Sequence, residues 1–170
     1  MKRSLLLLIS CVFATAFASA KTYSLTSPDG KIGIDVNAGD CITYSVRING
    51  DLALDNCEIS METSNGTLGL LPKVKSAKTA EHRGIYQPYN HYRNKEVADN
   101  YNELKLLFKD NWALEFRAYD NGAAYRFVTS AKGGMTVANE KIEFNLPQEA
   151  QVCLSPVEKF TTMYEEEYVF

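Results

Sequence analysis

The stretch that decides the fold covers residues 101–127 and reads YNELKLLFKDNWALEFRAYDNGAAYRF. Apolar and polar residues alternate in it, and successive side chains of a strand point to opposite faces of a sheet. One face therefore collects apolar side chains, namely Leu104, Leu106, Phe108, Trp112, Leu114, Phe116 and Ala118. The other face collects polar ones, namely Lys105, Lys109, Glu115 and Arg117. The pattern predicts an antiparallel meander with one buried face.

Two tight turns connect the strands of this meander. Asp110-Asn111 closes the first hairpin and Asp120-Asn121-Gly122 closes the second. Asn, Asp and Gly tolerate the positive φ that short hairpin turns demand. The turn residues therefore support three consecutive antiparallel strands.

Two arginines lie between apolar neighbours on these strands, at Arg117 and Arg126. Alternation places both on the sheet face opposite the apolar residues. We expect Arg117 to pair with a carboxylate on a neighbouring strand, either Glu103 or Glu115, because opposite charges on facing strand positions stabilise a sheet. Contact with a ligand is the alternative.

Short strands separated by turn residues continue along the rest of the chain. We expect them at residues 22–26, 32–36, 42–48, 52–54, 58–62, 141–146 and 151–154. No window shows the 3.6-residue periodicity of an amphipathic helix. The sequence predicts an all-β protein, an antiparallel β-sandwich.

Residues 76–100 do not follow this pattern of short strands and turns, since they are polar and show no clear alternation. We predict a long connection there, of the kind that is usually functional or mobile. Tyr86, Tyr89 and Tyr92 follow one another in nearly regular steps, and tyrosine rings stack on sugar faces. The hypothesis is that these three bind substrate; the alternative is a loop held against the sandwich by its aromatic residues.

Both histidines of the chain, His82 and His91, lie in the same segment. They are nine residues apart, and nothing in the sequence fixes their relative geometry. We therefore assign them neither metal binding nor general-base chemistry.

The first twenty residues have the features of a signal peptide. Lys2 and Arg3 precede an apolar run over residues 5–17, and small residues end at Ala20. The run is too short for a transmembrane helix, which needs about 20 apolar residues. We expect cleavage after Ala20 and export to the periplasm. The alternative is a lipoprotein anchored at Cys11, which ends the sequence Leu-Ile-Ser-Cys.

Cleavage would leave 16 basic and 21 acidic residues, a formal net charge of −5. No cluster gathers the basic residues on one face, so nucleic acid is not an expected partner. About 150 residues suffice for one domain with a hydrophobic core.

Three cysteines remain after residue 20, namely Cys41, Cys57 and Cys153. Cys41 and Cys57 flank the predicted hairpin around Asn49-Gly50, where a disulfide would need Cα atoms within about 7 Å. The alternative is that all three are small buried apolar residues.

Four stretches resemble, in the same order, the N-terminal domain of glycoside hydrolase family 97, which comprises α-glucosidases and α-galactosidases of Bacteroides-type bacteria. They are residues 27–31 (SPDGK), residues 44–50 (YSVRING), residues 101–127 and residues 164–168 (YEEEY). The resemblance implies that residues 21–170 form part of a galactose-mutarotase-like sandwich. Family members continue into a catalytic (β/α)8 barrel, so we expect Phe170 to be a truncation point.

The resemblance also implies a calcium ion beside the substrate, at the interface of sandwich and barrel. The motif position matches Glu165 to the glutamate that the sandwich contributes, with Glu167 as the next candidate in register. Ca²⁺ takes six to eight oxygen ligands, which fits the run of carboxylates at 165–167. The alternative is a solvated acidic strand end. The barrel supplies the catalytic residues, so we expect none in this chain.

These observations predict the N-terminal, carbohydrate-binding or supporting sandwich of an exported, calcium-dependent α-glycosidase. Its expected partners are an oligosaccharide or α-glycoside substrate and the missing barrel, and the chain alone is expected to be inactive. Two alternatives remain: a free-standing carbohydrate-binding module and a structural sandwich of the cell envelope.

Overall fold

The computed structural model describes residues 21–89, 94–130, 133–147 and 150–151. Every regular element in these ranges is a β-strand. The strands are β1 (Lys21–Thr26), β2 (Ile32–Ala38), β3 (Ile42–Ile48), β4 (Asp51–Thr63), β5 (Gly66–Leu68), β6 (Val74–Tyr86), β7 (Val97–Phe108), β8 (Trp112–Tyr119), β9 (Gly122–Thr129) and β10 (Val137–Ile142). In these ranges no helix is long and apolar enough to cross a membrane.

The strands form two antiparallel sheets. The first sheet has the order β1-β2-β3-β4-β10, with the short β5 also paired to β4. The second sheet has the order β6-β7-β8-β9. In the second sheet, strands that follow one another in the chain are also hydrogen-bonded neighbours, so this sheet is a simple meander. The predicted all-β sandwich is confirmed.

The core lies between the two sheets and consists of the apolar residues that alternation placed inward. The first sheet contributes Leu25, Ile32, Ile34, Val36, Ile42, Tyr44, Val46, Cys57 and Ile59. The second contributes Leu104, Leu106, Phe108, Trp112, Leu114, Phe116 and Ala118. The predicted inward face of residues 104–118 is therefore confirmed.

Turn chemistry fixes the register of the hairpins. Asn49 and Gly50 have φ of 53° and 91°, which is the type I′ turn that suits a two-residue hairpin loop. Asn111 has φ of 59°, as expected at the end of the β7–β8 turn. The β8–β9 turn differs from the expectation, because Asp120, Asn121 and Gly122 all keep negative φ.

The prediction of a loop at residues 76–100 is wrong. Most of this segment is β6 and the first part of β7, which pair from Val74 opposite Phe108 to Tyr86 opposite Val97. β6 is an edge strand exposed along most of its length, so neither of its faces needs apolar residues. Its sequence therefore lacks the alternation that marks a half-buried strand.

Two other strand boundaries in the structure differ from the predicted ones. The strands expected at 52–54 and 58–62 form one strand, β4, which is interrupted by an irregular register beside Asn56, whose φ is 48°. The strand expected at 141–146 begins earlier, since β10 is Val137–Ile142. Most of the strand expected at 151–154 lies outside the described residues.

Cys41 and Cys57 are free thiols in the structure, so of the two alternatives the disulfide between them is not formed. Cys57 is fully buried and faces Tyr44 on the neighbouring strand. It fits the alternative of a small apolar core residue. Burial raises the pKa of Cys41. Cys153 lies outside the described residues.

The two sheets are also connected at their edges by polar contacts. The Asp29 amide donates to Asp120 Oδ1 at 2.9 Å, which joins the β1–β2 turn to the β8–β9 turn. The Asn102 side-chain amide donates to the Thr26 carbonyl at 2.8 Å. Hydrogen bonds from Ser27 and Lys31 hold the pKa of Asp29 well below its usual range. These contacts fix how β1 and β2 lie against the second sheet.

Trp112 and Phe116 are 5% and 2% exposed, and Trp112 stacks on Phe108 with ring centroids 3.7 Å apart. We expect Trp112→Ala and Phe116→Ala each to lower the free energy of unfolding by about 3–5 kcal/mol, because each leaves a large cavity. Urea denaturation measures this loss. Thr22→Ala, on an exposed edge strand, is the matched control. A loss below about 1 kcal/mol for either aromatic would contradict the assigned inward face.

Candidate functional site

The second sheet turns its other face away from the core, and this outer face carries the ion pairs of Glu115 and Arg117. The register places side chains in rows across the strands. From one end to the other, the rows are His82, Tyr101 and Tyr119; then Ala80, Glu103, Arg117 and Ala124; then Lys78, Lys105, Glu115 and Arg126.

Glu115 lies at the centre of the outer face and is only 4% exposed. Lys105 on β7 donates to its Oε1 at 2.5 Å, and Arg126 on β9 donates to its Oε2 at 2.6 Å. Burial raises the pKa of Glu115, but the hydrogen bonds from Lys105 and Arg126 outweigh this effect, and the pKa lies below its ordinary value. The carboxylate is therefore charged and joins three strands.

Arg117 forms the second ion pair of the outer face, and its Nε donates to Glu103 Oε2 at 2.9 Å. The guanidinium also lies over the Tyr101 ring, 4.2 Å from its centroid, in a cation–π contact. The expected cross-strand pairing of Arg117 is confirmed, with Glu103 as the partner. Glu115 pairs with Arg126.

An aromatic cluster occupies the end of the outer face next to this ion pair. Tyr101 is 8% exposed because His82 stacks on its ring at 4.8 Å and Tyr119 contacts it at 5.1 Å. His82 Nε2 lies 3.3 Å from Asp99 Oδ2. A Cβ at Gly84 would be 2.9 Å from the same nitrogen, so the imidazole occupies the space above this glycine.

Two of the three tyrosines predicted to bind substrate lie within the described residues. Tyr86 ends β6 and is 58% exposed, and strand alternation puts it on the outer face with His82. Tyr89 follows the strand and is 97% exposed. Tyr92 and His91 lie outside the described residues. The structure thus places Tyr86 on the same strand face as His82, four residues further along β6.

The predicted calcium ligands Glu165 and Glu167 lie outside the described residues, as do Ala20 and Cys11. Among the residues that the structure describes, no group of three His, Cys, Asp or Glu side chains is placed to hold a metal ion. The carboxylates that cluster there face cations, as Glu58 and Glu143 do on either side of Lys141.

An apolar cavity of about 290 Å³ opens between β9 and the first sheet. Tyr44, Phe116 and Tyr125 line it together with Leu54 and Phe144. Burial raises the pKa of Tyr44 to about 12 and also raises that of Tyr125. Phe144 remains 65% exposed at the mouth. The cavity has no charged lining and offers no catalytic chemistry.

Sequence reasoning missed the aromatic cluster because it treated residues 76–100 as a loop. The available signal was the alternation of Lys78, Ala80, His82, Gly84 and Tyr86, which only becomes visible if β6 is paired with β7. It also missed the burial of Glu115. The two-residue turn at Asp120 and Asn121 sets Glu115 opposite Arg126, whereas the predicted turn also included Gly122.

The fold and the arrangement of the outer face define an all-β antiparallel sandwich domain. The model of the glycosyl-hydrolase 97 N-terminal domain matches residues 25–169. The chain therefore belongs to this family, as the N-terminal domain of a glycoside hydrolase.

Several known proteins are similar to the chain. A retaining alpha-galactosidase of Bacteroides thetaiotaomicron is 36% identical over 150 residues, which cover 86% of this chain and 22% of that protein. A crystal structure of a beta-arabinopyranosidase matches with a TM-score of 0.67 and 25% identity, over 74% of this chain and 21% of the other. A family 97 enzyme of Pseudoalteromonas sp. strain K8, solved in complex with panose, matches with a TM-score of 0.64 and 20% identity, over 74% of this chain and 20% of the other. The chain thus spans about a fifth of these proteins.

Proposed function

We propose that this chain is the N-terminal sandwich of an exported, calcium-dependent α-glycosidase. The observation that carries the proposal is the match of residues 25–169 to the family 97 N-terminal domain. The 36% identity to a retaining alpha-galactosidase supports hydrolysis of α-galactosides or α-glucosides by the whole enzyme. In this proposal the sandwich supports the catalytic barrel and completes one wall of its active site, and the barrel carries the catalytic acid and its partner carboxylate.

In this proposal Glu165 contributes one calcium ligand, with Glu167 as the next candidate. The ion, when bound, supplies positive charge beside the sugar. Two observations support this assignment. Calcium prefers carboxylate oxygens, which residues 165–167 offer. Four described carboxylates already have cationic partners in the sandwich, namely Glu58, Glu103, Glu115 and Glu143. The proposal also assigns sugar contact to Tyr86, Tyr89 and Tyr92, since Tyr86 and Tyr89 are both more than half exposed.

In a polypeptide that continues through the barrel, we expect Glu165→Gln to weaken calcium affinity and to lower turnover of an aryl α-glycoside, because the amide keeps the shape but loses the charge. Removal of a group that only orients a metal ligand typically costs about 10–100-fold in metal affinity or activity, so loss of a direct ligand should cost at least as much. Calcium titration of activity measures both effects. Glu166→Gln is the matched control, since alternation in an extended strand puts residue 166 on the opposite face.

Two outcomes of this experiment count against the assignment. Loss of calcium dependence on Glu167→Gln, with Glu165→Gln unchanged, would move the ligand by two residues. Wild-type metal affinity and turnover in both variants would make this acidic segment an ordinary solvated strand end.

We propose export because residues 1–20 have a basic start, an apolar run and small residues at the cleavage position. The expected N-terminus of the exported protein is Lys21, at the first residue of β1. Mass spectrometry of the N-terminal peptide from the periplasm measures it. A lipid-modified Cys11 as the first residue would contradict cleavage after Ala20.

A further inference from the structure

The two sheets of the sandwich are offset from each other. β1 lies against β7 and β8, and β2 lies against β8 and β9. The first sheet continues past β2 through β3, β4 and β10, whereas the described part of the second sheet ends at β9. The inner faces of β4, β10 and residues 143–146 therefore extend beyond the last described strand of the second sheet. We call this part of the first sheet the overhang.

The inner face of the overhang is apolar and exposed. Ile142 pairs with the fully buried Ile59, so it lies on the core side of the first sheet. Alternation puts Phe144 and Leu146 on the same side, and Phe144 lines the apolar cavity beside β9. These three side chains are nevertheless 45%, 65% and 43% exposed. A contiguous row of large apolar side chains on a core face indicates a surface that another segment covers.

β9 lies at the edge of the described second sheet, but its sequence is that of an inner strand. β6, at the opposite edge, carries four charged residues, and such charges protect an exposed edge from pairing. They are Lys75, Lys78, Glu81 and Arg83. β9 reads GAAYRFVT, with Arg126 as its single charged residue and no proline. The contrast indicates that β6 is built as an outer edge and β9 is built to pair on both sides.

The register of the β8–β9 hairpin shows which backbone groups of β9 can pair. Tyr119 and Gly122 lie next to its two-residue turn. Such a closing pair is hydrogen-bonded, and bonded and non-bonded pairs alternate along an antiparallel hairpin. The N–H and C=O groups of Ala123, Tyr125 and Phe127 therefore point away from β8. No described strand pairs with β9 on that side.

The chain itself supplies a segment that suits this edge. After the overhang, the Ala150 amide donates to the Pro147 carbonyl at 3.0 Å, a hydrogen bond typical of a β-turn. Residues 151–155 come directly after this turn and read QVCLS, without a charged side chain. In a strand, Val152 and Leu154 would share one face. The pattern is that of a short strand with one apolar face.

Chain length and cavity volume both allow this segment to reach the edge of β9. The eight residues from Phe144 to Val152 can span up to about 26 Å. Stacked sheets are about 10 Å apart, so the chain can cross from one sheet to the other. A cavity of about 150 Å³ accommodates a benzene-sized group. The cavity between β9 and the first sheet measures about 290 Å³ and so has room for about two apolar side chains.

We propose that residues 151–155 add a strand to the second sheet along the unpaired edge of β9, and that Val152 and Leu154 fill the cavity against Tyr125 and Phe144. The added strand would lie opposite the overhang and cover its apolar row. It would also determine the edge of the sandwich from which the chain continues toward residues 165–167. The proposal concerns packing within the chain and depends on neither the calcium site nor the glycosidase activity.

NOE spectroscopy of the isotope-labelled chain tests the proposal directly. We expect NOEs from the methyl groups of Val152 and Leu154 to the rings of Tyr125 and Phe144, within one molecule. Absence of these NOEs would overturn the proposal. NOEs that appear only between differently labelled molecules in a mixed sample would also overturn it, because a second copy would then occupy the cavity.

Amide hydrogen exchange gives an independent test. Leu154→Asp should speed the exchange of the Tyr125 and Phe127 amides by at least about ten-fold, because a carboxylate in an apolar cavity is costly and the added strand detaches. Cys153→Asp is the matched control, since it puts the same charge on the opposite face of the same strand. It should change these exchange rates by less than about two-fold.

The Leu114 amide, at the centre of β8, reports whether the sheet itself stays folded. Equal acceleration by the two variants would contradict the proposal, as would unchanged exchange at Tyr125 and Phe127 in Leu154→Asp. If Leu154→Asp also exposes Leu114, the variant has unfolded the sheet, and the wild-type NOEs decide. Calcium and turnover are not measured, so the outcome is independent of the Glu165 experiment.

Discussion

The register of the β7–β8–β9 meander is the constraint on which the rest of the structure depends. Side chains alternate between faces, so a slip of one residue would turn Phe116 to the outside and Glu115 into the core. In the observed register Leu104, Phe116 and Tyr125 lie opposite one another and face the first sheet. The same register puts Glu115 between Lys105 and Arg126. Core packing on one face of the sheet and ion pairing on the other face therefore favour the same register.

Burial of Glu115 is costly unless the charge is compensated. Each of its carboxylate oxygens accepts from a cation on a different strand, so the pairing ties β7, β8 and β9 together. Among the described buried side chains, no polar nitrogen or oxygen lacks a hydrogen-bond partner. The Glu103 and Glu115 carboxylates of the outer face are therefore already paired with cations of the same sheet.

The sequence predicted those parts of the fold whose hydrophobic alternation is strong. The inward face of residues 104–118, the Asn49-Gly50 hairpin and the cross-strand pairing of Arg117 all followed from local pattern and turn chemistry. β6 could not be recognised in the same way, because both of its faces are exposed and its partner residues lie about 11 to 34 positions away in the chain. Its placement depends on backbone pairing with β7, which residue pattern does not encode.

The candidate site was less accessible to sequence reasoning than the fold. His82, Asp99 and Tyr101 meet only because β6 and β7 pair in one register, and the space above Gly84 is visible only in three dimensions. The position of Glu115 opposite Arg126 depends on a two-residue β8–β9 turn, whereas the predicted turn had three residues. The family resemblance, by contrast, rested on turns and alternation and is confirmed by the domain match over residues 25–169.

The most direct test of this account is an NMR pH titration of the Glu115 carboxyl group in the folded chain. A folded-state pKa below the ordinary value of 4.5 means that the ionised group stabilises the fold above that pH and that this stability is lost as the pH falls. The account predicts such a lowered pKa, with Glu115→Gln removing the corresponding part of the acid sensitivity. A pKa at or above 4.5 would contradict the three-strand ion pairing and, with it, the register of the meander.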